Sequence, residues 1–150
     1  MPLIIYMLCV LGIMVVIFYL SSQPAEQSDQ LSMSFTAALL EVFLQNDLNE
    51  SEHTVLIINY NEIVRNAAHF FIFSFLGLFM HLLLLSKKFK KPILFSIIIG
   101  LIYAISDEFH QIFVPGRGAQ IQDVLLDFSG VIGGVSVITI FNLLRRNNFT

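Results

Sequence analysis

The chain has 150 residues, of which 56% are hydrophobic and 13% are charged. The charged fraction is about half that of a soluble domain, so the composition indicates a membrane protein. The formal net charge is −3, and basic residues cluster only beside apolar runs, which argues against nucleic-acid binding. A single cysteine, Cys9, excludes an intrachain disulfide.

Membrane-spanning helices are predicted by four apolar runs, since a span needs about 20 apolar residues: residues 3–20, 67–85, 92–113 and 124–144. The third run is long enough only if its helix continues into the polar residues that follow Ser106. The first run is predicted to be a retained span, because it lacks a basic leader and a small-residue cleavage site. We therefore expect an all-α, integral membrane four-helix bundle forming a single domain over residues 1–150.

The distribution of charge predicts the orientation of the spans. Four lysines follow the second run between residues 87 and 91, and Arg145 and Arg146 follow the fourth. The positive-inside rule places both clusters, and with them both termini, in the cytoplasm. The segment 21–66 and the loop 107–123 are then expected outside and hold ten of the eleven acidic residues, while the last, Asp127, lies at the outer end of the fourth run.

The long outer segment 21–66 contains a predicted amphipathic helix over residues 28–44, with Ser28 or Asp29 as its N-cap. Its apolar residues recur at helical spacing, and it is expected on the membrane surface or over the bundle, where it could also be a lid without a ligand. Residues 45–54 are predicted to form an exposed loop. Residues 55–65 either extend the second span or form a short helix before it.

Polar residues recur where the second and third spans end. Arg65 and His69 are four residues apart and share a helix face, as do Asp107, His110 and Gln111 at spacings of three and four. Charge at a membrane boundary costs free energy and is usually functional. These faces are therefore candidate walls of a site.

The fourth span carries a similar stripe of Asp123, Asp127, Gly130 and Gly134, whose small residues favour close helix packing. Turning the three stripes together predicts a pocket that opens outward, lined by Arg65, His69, Asp107, His110, Arg117, Asp123 and Asp127. Asp127 lies one turn deeper than Asp123, about 6 Å, and needs a partner, for which His69 is the natural candidate. The alternative is an ion-pair network that only pins the helices together.

Arg117 follows a Val114-Pro115-Gly116 sequence with turn chemistry. A guanidinium held there suits a phosphate or carboxylate, with a salt bridge to Asp123 or Glu108 as the alternative. Asp107, Glu108, His110 and His69 are also metal-ligand types. However, adjacent carboxylates on a helix face different ways and no zinc motif is present, so neither a metal nor another cofactor is expected.

Several motifs together resemble the VanZ-like family of small bacterial membrane proteins, over about residues 10 to 140. They are Phe18 to Gln23, Arg65 to Phe70, Asp107 to Gln111 with Pro115-Gly116-Arg117, and Asp123 to Asp127. The resemblance implies a cell-envelope role in the bacterial cytoplasmic membrane, associated with lowered sensitivity to teicoplanin-type lipoglycopeptides. Two positions depart from the family: Arg65 stands where many members carry lysine, and Asp127 where asparagine is common.

Three functional hypotheses follow. In the first, the pocket binds or modifies a lipid-linked or peptide-bearing envelope component: Arg117 and Arg65 bind its anionic group, Gln111, Asp123, Asp127 and Gln23 add contacts, and Asp107, Glu108 and His110 orient or activate it. The second is an intramembrane hydrolase or transferase, with Glu108 or Asp107 as general base and His110 or His69 as its partner. The third is a structural partner protein with a polar helix clamp. Expected partners are membrane lipids, a lipid-linked cell-wall precursor or a lipoglycopeptide.

Overall fold

The computed structural model describes residues 2–44 and 49–147, which form five α-helices and no strand. The helices are α1 (Pro2–Ser21), α2 (Ala25–Leu44), α3 (Glu50–Ser86), α4 (Pro92–Gln111) and α5 (Ile121–Asn147). Within this part of the chain α1, α3, α4 and α5 are each long and apolar enough to cross a membrane. The prediction of an all-α, four-span membrane protein with an additional amphipathic helix is confirmed.

Helices α3 and α5 form the central pair of the bundle, and α1, α2 and α4 also pack against α3. Glycine allows this close approach. A Cβ on Gly134 would overlap the Ser74 carbonyl oxygen and lie 2.8 Å from the Leu78 nitrogen. Gly130 meets the Phe70 carbonyl oxygen in the same way. Backbone-to-backbone packing of this kind is typical of membrane helices, because lipid offers no hydrophobic force that would bring them together.

The apolar core lies between these helices and is built mainly from α3. Its buried members are Val10, Ile17, Phe73, Leu76, Met80, Leu84, Ala104, Val131 and Val135. Large apolar side chains on the other faces, such as Leu8, Phe75 and Ile140, remain exposed, as expected for surfaces in contact with lipid. The Tyr103 hydroxyl donates to the Met14 carbonyl at 2.6 Å and ties α4 to α1.

Two predicted boundaries around the long outer segment are wrong. Helix α2 begins at Ala25, before the predicted caps, and the Ser28 amide donates to the Pro24 carbonyl within its first turn. The exposed loop predicted over residues 45–54 gives way to helix at Glu50, while residues 45–48 lie outside the described part of the chain. Asn49 starts α3 through a reciprocal capping box with Glu52, which sequence periodicity alone does not reveal.

Of the two alternatives for residues 55–65, the structure favours an extension of the second span. Helix α3 is continuous over 37 residues and is much longer than a membrane span requires. Its first turns therefore extend beyond the span and contribute Arg65 to the site described below. At the other boundary, α4 ends at Gln111, two residues before the predicted end of the third span.

We expect Gly134→Ala to lower the free energy of unfolding by about 1–3 kcal/mol, because the new methyl group overlaps backbone atoms of α3 that cannot move aside. The matched control is Gly133→Ala on the same helix. A Cβ at Gly133 meets only the ends of the Phe70 and Ser74 side chains, at 3.6 and 3.7 Å. Thermal unfolding in detergent measures both variants, and equal midpoints would contradict the proposed close contact.

Candidate functional site

Three acidic side chains are buried where the C-terminal end of α4 meets the N-terminal end of α5. Asp107, Glu108 and Asp127, here called the carboxylate cluster, are only 5%, 3% and 0% exposed. One oxygen from each lies within 4.8 Å of the other two. The expectation that Asp107 and Glu108 face apart is therefore wrong for their carboxylates, because rotation about the side-chain bonds brings the oxygens together.

Asp107 connects α4 to the end of α1. The Ser21 hydroxyl, at the end of α1, donates to Asp107 Oδ2 at 2.8 Å. Gln111 Nε2, one turn further along α4, donates to the same oxygen at 3.0 Å. Ser21 was not among the predicted site residues, although its place at the polar end of a span was a signal that could have found it.

Glu108 is held by the loop that precedes α5. The Gln120 amide donates to Glu108 Oε2 at 2.9 Å. Glu108 Oε1 is buried and has no hydrogen-bond partner in the described part of the chain. A buried oxygen without a partner is costly, so this side of the carboxylate is available to a further group.

Asp127 faces His69 across the α3–α5 contact, as the sequence predicted. His69 Nδ1 lies 3.4 Å from Asp127 Oδ1, within ion-pair range. The contact lacks hydrogen-bond geometry, and among the described residues neither Asp127 oxygen has a hydrogen-bond partner. The pairing therefore only partly offsets the cost of burying the carboxylate.

A polar cavity of about 240 Å³ lies beside the cluster. Its polar lining residues are Ser28, Asp29, Arg65, Asn66, His69, Gln111, Arg117, Gln120 and Asp123. Three of these contact the carboxylate cluster directly, since Gln111 bonds Asp107, the Gln120 amide bonds Glu108 and His69 faces Asp127. The cluster itself lines neither this cavity nor the next, so the single pocket expected from the sequence is divided into an accessible part and a buried part.

A second, largely apolar cavity of about 460 Å³ lies between α1, α2 and α3. Its apolar lining includes Ile17, Leu20, Leu31, Phe35, Val64 and Ile72. The two cavities share four lining residues: Ser28, Arg65, His69 and Arg117. An apolar space and a polar space therefore meet at two guanidinium groups.

Arg117 is positioned by the turn that the sequence predicted. The Arg117 amide donates to the Val114 carbonyl at 3.1 Å, and Gly116 has a φ of 75° that favours glycine. The Ala25 amide donates to the Pro115 carbonyl at 3.1 Å, which joins the start of α2 to the same turn.

The Arg117 guanidinium makes no hydrogen bond or ion pair with any described residue, so the alternative salt bridges to Asp123 and Glu108 are not formed. Burial lowers the pKa of Arg117 and the neighbouring Arg65 charge lowers it further, while nearby carboxylates raise it. A guanidinium stays charged under all these influences. Arg65 bonds Asp29 at 3.0 Å, and both side chains are nearly half exposed.

Neither His110 nor Gln23 lines the polar cavity. The His110 ring packs 4.5 Å from the Phe18 ring, and His110 lines neither cavity. Gln23 lines the apolar cavity, but its amide donates to the Tyr19 carbonyl at 3.2 Å. The residues that the sequence analysis missed are Ser21, Asp29, Asn66 and the Gln120 amide.

The fold and the site define a multi-pass helical membrane protein with a buried polar centre at one end of its bundle. The family model described as VanZ/LLP1 matches residues 3–142, so the chain belongs to the VanZ/LLP1 family, as its motifs indicated. No curated protein and no solved structure gives a significant match.

We expect Ser21→Ala to lower the free energy of unfolding by about 1–3 kcal/mol, because it removes a buried hydrogen bond to a carboxylate. Ser22→Ala is the matched control, since the Ser22 hydroxyl bonds only the nearby Tyr19 carbonyl. The control should change stability by less than about 0.5 kcal/mol. Thermal unfolding of the two variants in one detergent makes the comparison, and similar losses would argue against the bond from α1 to α4.

Proposed function

We propose that this protein binds an amphiphile with an anionic head group, such as a lipid-linked cell-wall precursor, in the outer leaflet of the bacterial cytoplasmic membrane. The observation that carries the proposal is the meeting of an apolar cavity and a polar cavity at Arg65, His69 and Arg117. An amphiphile has the same division between a tail and a charged head.

The guanidinium groups support an anionic head. Two like charges that line one cavity repel each other, and an anion between them removes that repulsion. Arg117 makes no hydrogen bond or ion pair with the described residues, although carboxylates lie near it, and its fork geometry matches phosphate. The ion pair between Arg65 and Asp29 is half exposed and therefore weak, so Arg65 can turn to a ligand at little cost.

The apolar cavity supports a hydrocarbon tail. Its volume of about 460 Å³ is within the usual range for small-molecule sites, and most of its lining surface is apolar. It lies beside α1, whose exposed face is apolar along most of its length. A long polyisoprenyl tail can therefore pass from the cavity into the bilayer.

The proposal includes an outward orientation of the two cavities and a role in protection against lipoglycopeptides. The positive-inside rule directs the two basic clusters to the cytoplasm and the two cavities to the outer face. Membership of the VanZ/LLP1 family supports a role in the cell envelope. Binding of a lipid-linked precursor at the outer face would reduce the access of teicoplanin-type lipoglycopeptides to their target.

A second candidate function is an intramembrane hydrolase or transferase that acts on the same head group. The observation that favours it is the pairing of His69, in the wall of both cavities, with the buried Asp127. A histidine oriented by a carboxylate is a common general base. Glu108 lines neither cavity and reaches the polar one only through its hydrogen bond from the Gln120 amide.

We expect Arg117→Ala to weaken binding of undecaprenyl phosphate by roughly 10- to 100-fold, because a charged hydrogen bond contributes about 1.5–3 kcal/mol. Native mass spectrometry of the detergent-solubilised protein measures the binding, with undecaprenol as the uncharged comparison. Arg145→Ala is the matched control, since it removes the same charge from the exposed C-terminal end of α5. Equal affinities of the two variants, or equal binding of the phosphate and the alcohol, would refute head-group recognition.

The same two variants test the biological role. In a bacterial host that lacks its own family member, wild type and Arg145→Ala should lower teicoplanin susceptibility, and Arg117→Ala should not. Membrane levels of the three proteins must be matched by immunoblot. Full protection by Arg117→Ala would show that head-group binding at Arg117 is not needed for protection against teicoplanin.

Incubation with undecaprenyl diphosphate separates the binding function from the hydrolase. A binding protein releases no inorganic phosphate, whereas a hydrolase that uses His69 as its base releases phosphate and loses this activity in His69→Gln. Retention of undecaprenyl phosphate binding by His69→Gln shows that the variant is folded.

A further inference from the structure

The carboxylate cluster lacks enough positive charge to balance it. Asp107, Glu108 and Asp127 are almost fully buried, with one oxygen of each within 4.8 Å of the others. Within the described ranges, only His69 forms an ion pair with any of them. Like charges this close repel strongly in a medium of low dielectric constant, so a cation or protons must neutralise them.

The free oxygens of the cluster indicate where such a group would bind. Glu108 Oε1 and both oxygens of Asp127 are buried without a hydrogen-bond partner among the described residues. Both hydrogen bonds to Asp107 go to Oδ2, from Ser21 and Gln111. The described residues thus give hydrogen bonds to one oxygen each on Asp107 and Glu108, whereas Asp127 has only its ion pair with His69.

The hydrogen bonds to Asp107 Oδ2 and Glu108 Oε2 also hold these two carboxylates in place. Ser21 and Gln111 fix Asp107, and the Gln120 amide fixes Glu108. Partners of this kind orient the ligands of most protein metal sites. One oxygen from each carboxylate lies within 4.8 Å of the others, which is close enough for one Ca²⁺, with bonds of about 2.3–2.6 Å, to contact all three.

We propose that Asp107, Glu108 and Asp127 together bind one hard divalent cation of the Mg²⁺, Mn²⁺ or Ca²⁺ class. The donor set is made of carboxylate oxygens without sulfur, which selects hard cations. The ion would join α4 to α5 and, through the Ser21 bond to Asp107, also hold the end of α1. This site does not depend on the proposed amphiphile binding, because the cluster lines neither cavity.

The first experiment titrates Mn²⁺ into the full-length protein in detergent, after treatment with EDTA and its removal, and follows free Mn²⁺ by electron paramagnetic resonance. We expect uptake of one Mn²⁺ per chain and competition by Mg²⁺ or Ca²⁺. Asp127→Asn and Glu108→Gln should each weaken uptake roughly tenfold or more, since each removes a charged ligand. Glu62→Gln, an exposed glutamate on α3, is the matched control and should bind like wild type.

Thermal unfolding provides a second, independent measurement. Mn²⁺ should raise the unfolding midpoint of wild type in proportion to the logarithm of its free concentration, because it binds only the folded state. The midpoint of Asp127→Asn should not respond. In EDTA this variant should be at least as stable as wild type, because it carries one fewer repelling charge. A normal midpoint in EDTA would show that the variant is folded, so that a missing response to Mn²⁺ reports lost binding.

The proposal is overturned if wild type takes up none of the three cations at millimolar concentration and its midpoint is the same in EDTA and in Mn²⁺. The cluster would then be neutralised by protons. It is equally overturned if Asp127→Asn and Glu108→Gln bind Mn²⁺ as wild type does, since the ion would then lie on surface acids. Loss of undecaprenyl phosphate binding alone would leave the metal site standing and would count only against the amphiphile.

Discussion

Three carboxylates buried within one apolar bundle are the constraint on which the rest of the site depends. Asp107, Glu108 and Asp127 must be neutralised where they lie, because they are almost fully buried and no described lysine or arginine forms an ion pair with them. The Ser21 hydroxyl, the Gln111 amide and the Gln120 backbone all point to this cluster. The buried carboxylates and their hydrogen-bond donors therefore come from α1, α4, α5 and the loop before α5.

The close contact between α3 and α5 brings the histidine to this cluster. Gly130 lies against the Phe70 carbonyl, one residue after His69, and Gly134 lies one turn further along the same stripe. A larger residue at either glycine would move the helices apart and separate His69 from Asp127. The glycine packing between α3 and α5 therefore sets the distance between His69 and Asp127.

The accessible part of the site depends on a different set of bonds. The turn at Pro115 and Gly116 places Arg117, and the Ala25 amide fastens the start of α2 to that turn. Helix α2 thereby becomes a wall of the apolar cavity, and the two cavities meet at Arg65 and Arg117. The contacts Gln111–Asp107 and His69–Asp127 link the polar cavity to the buried carboxylate cluster. The charge of a ligand in the cavity therefore interacts with the charge of the cluster.

The sequence by itself determined the four spans, the amphipathic helix and the Arg117 turn, because each follows from hydrophobic run length, helical period or local turn chemistry. It made His69 the candidate partner of Asp127, and the packing of α3 on α5 brought the two together. Hydrophobic periodicity did not place the start of α3, because that start depends on the Asn49–Glu52 capping box, a local signature that the predicted loop over residues 45–54 overlooked. Nor did it place His110, which packs on Phe18 of another helix. Only the tertiary structure decided that Asp107 and Glu108 converge on Asp127 and that Ser21 completes their surroundings. Helical period fixes where a Cβ points, whereas rotamers and the relative rotation of packed helices decide where a carboxylate ends.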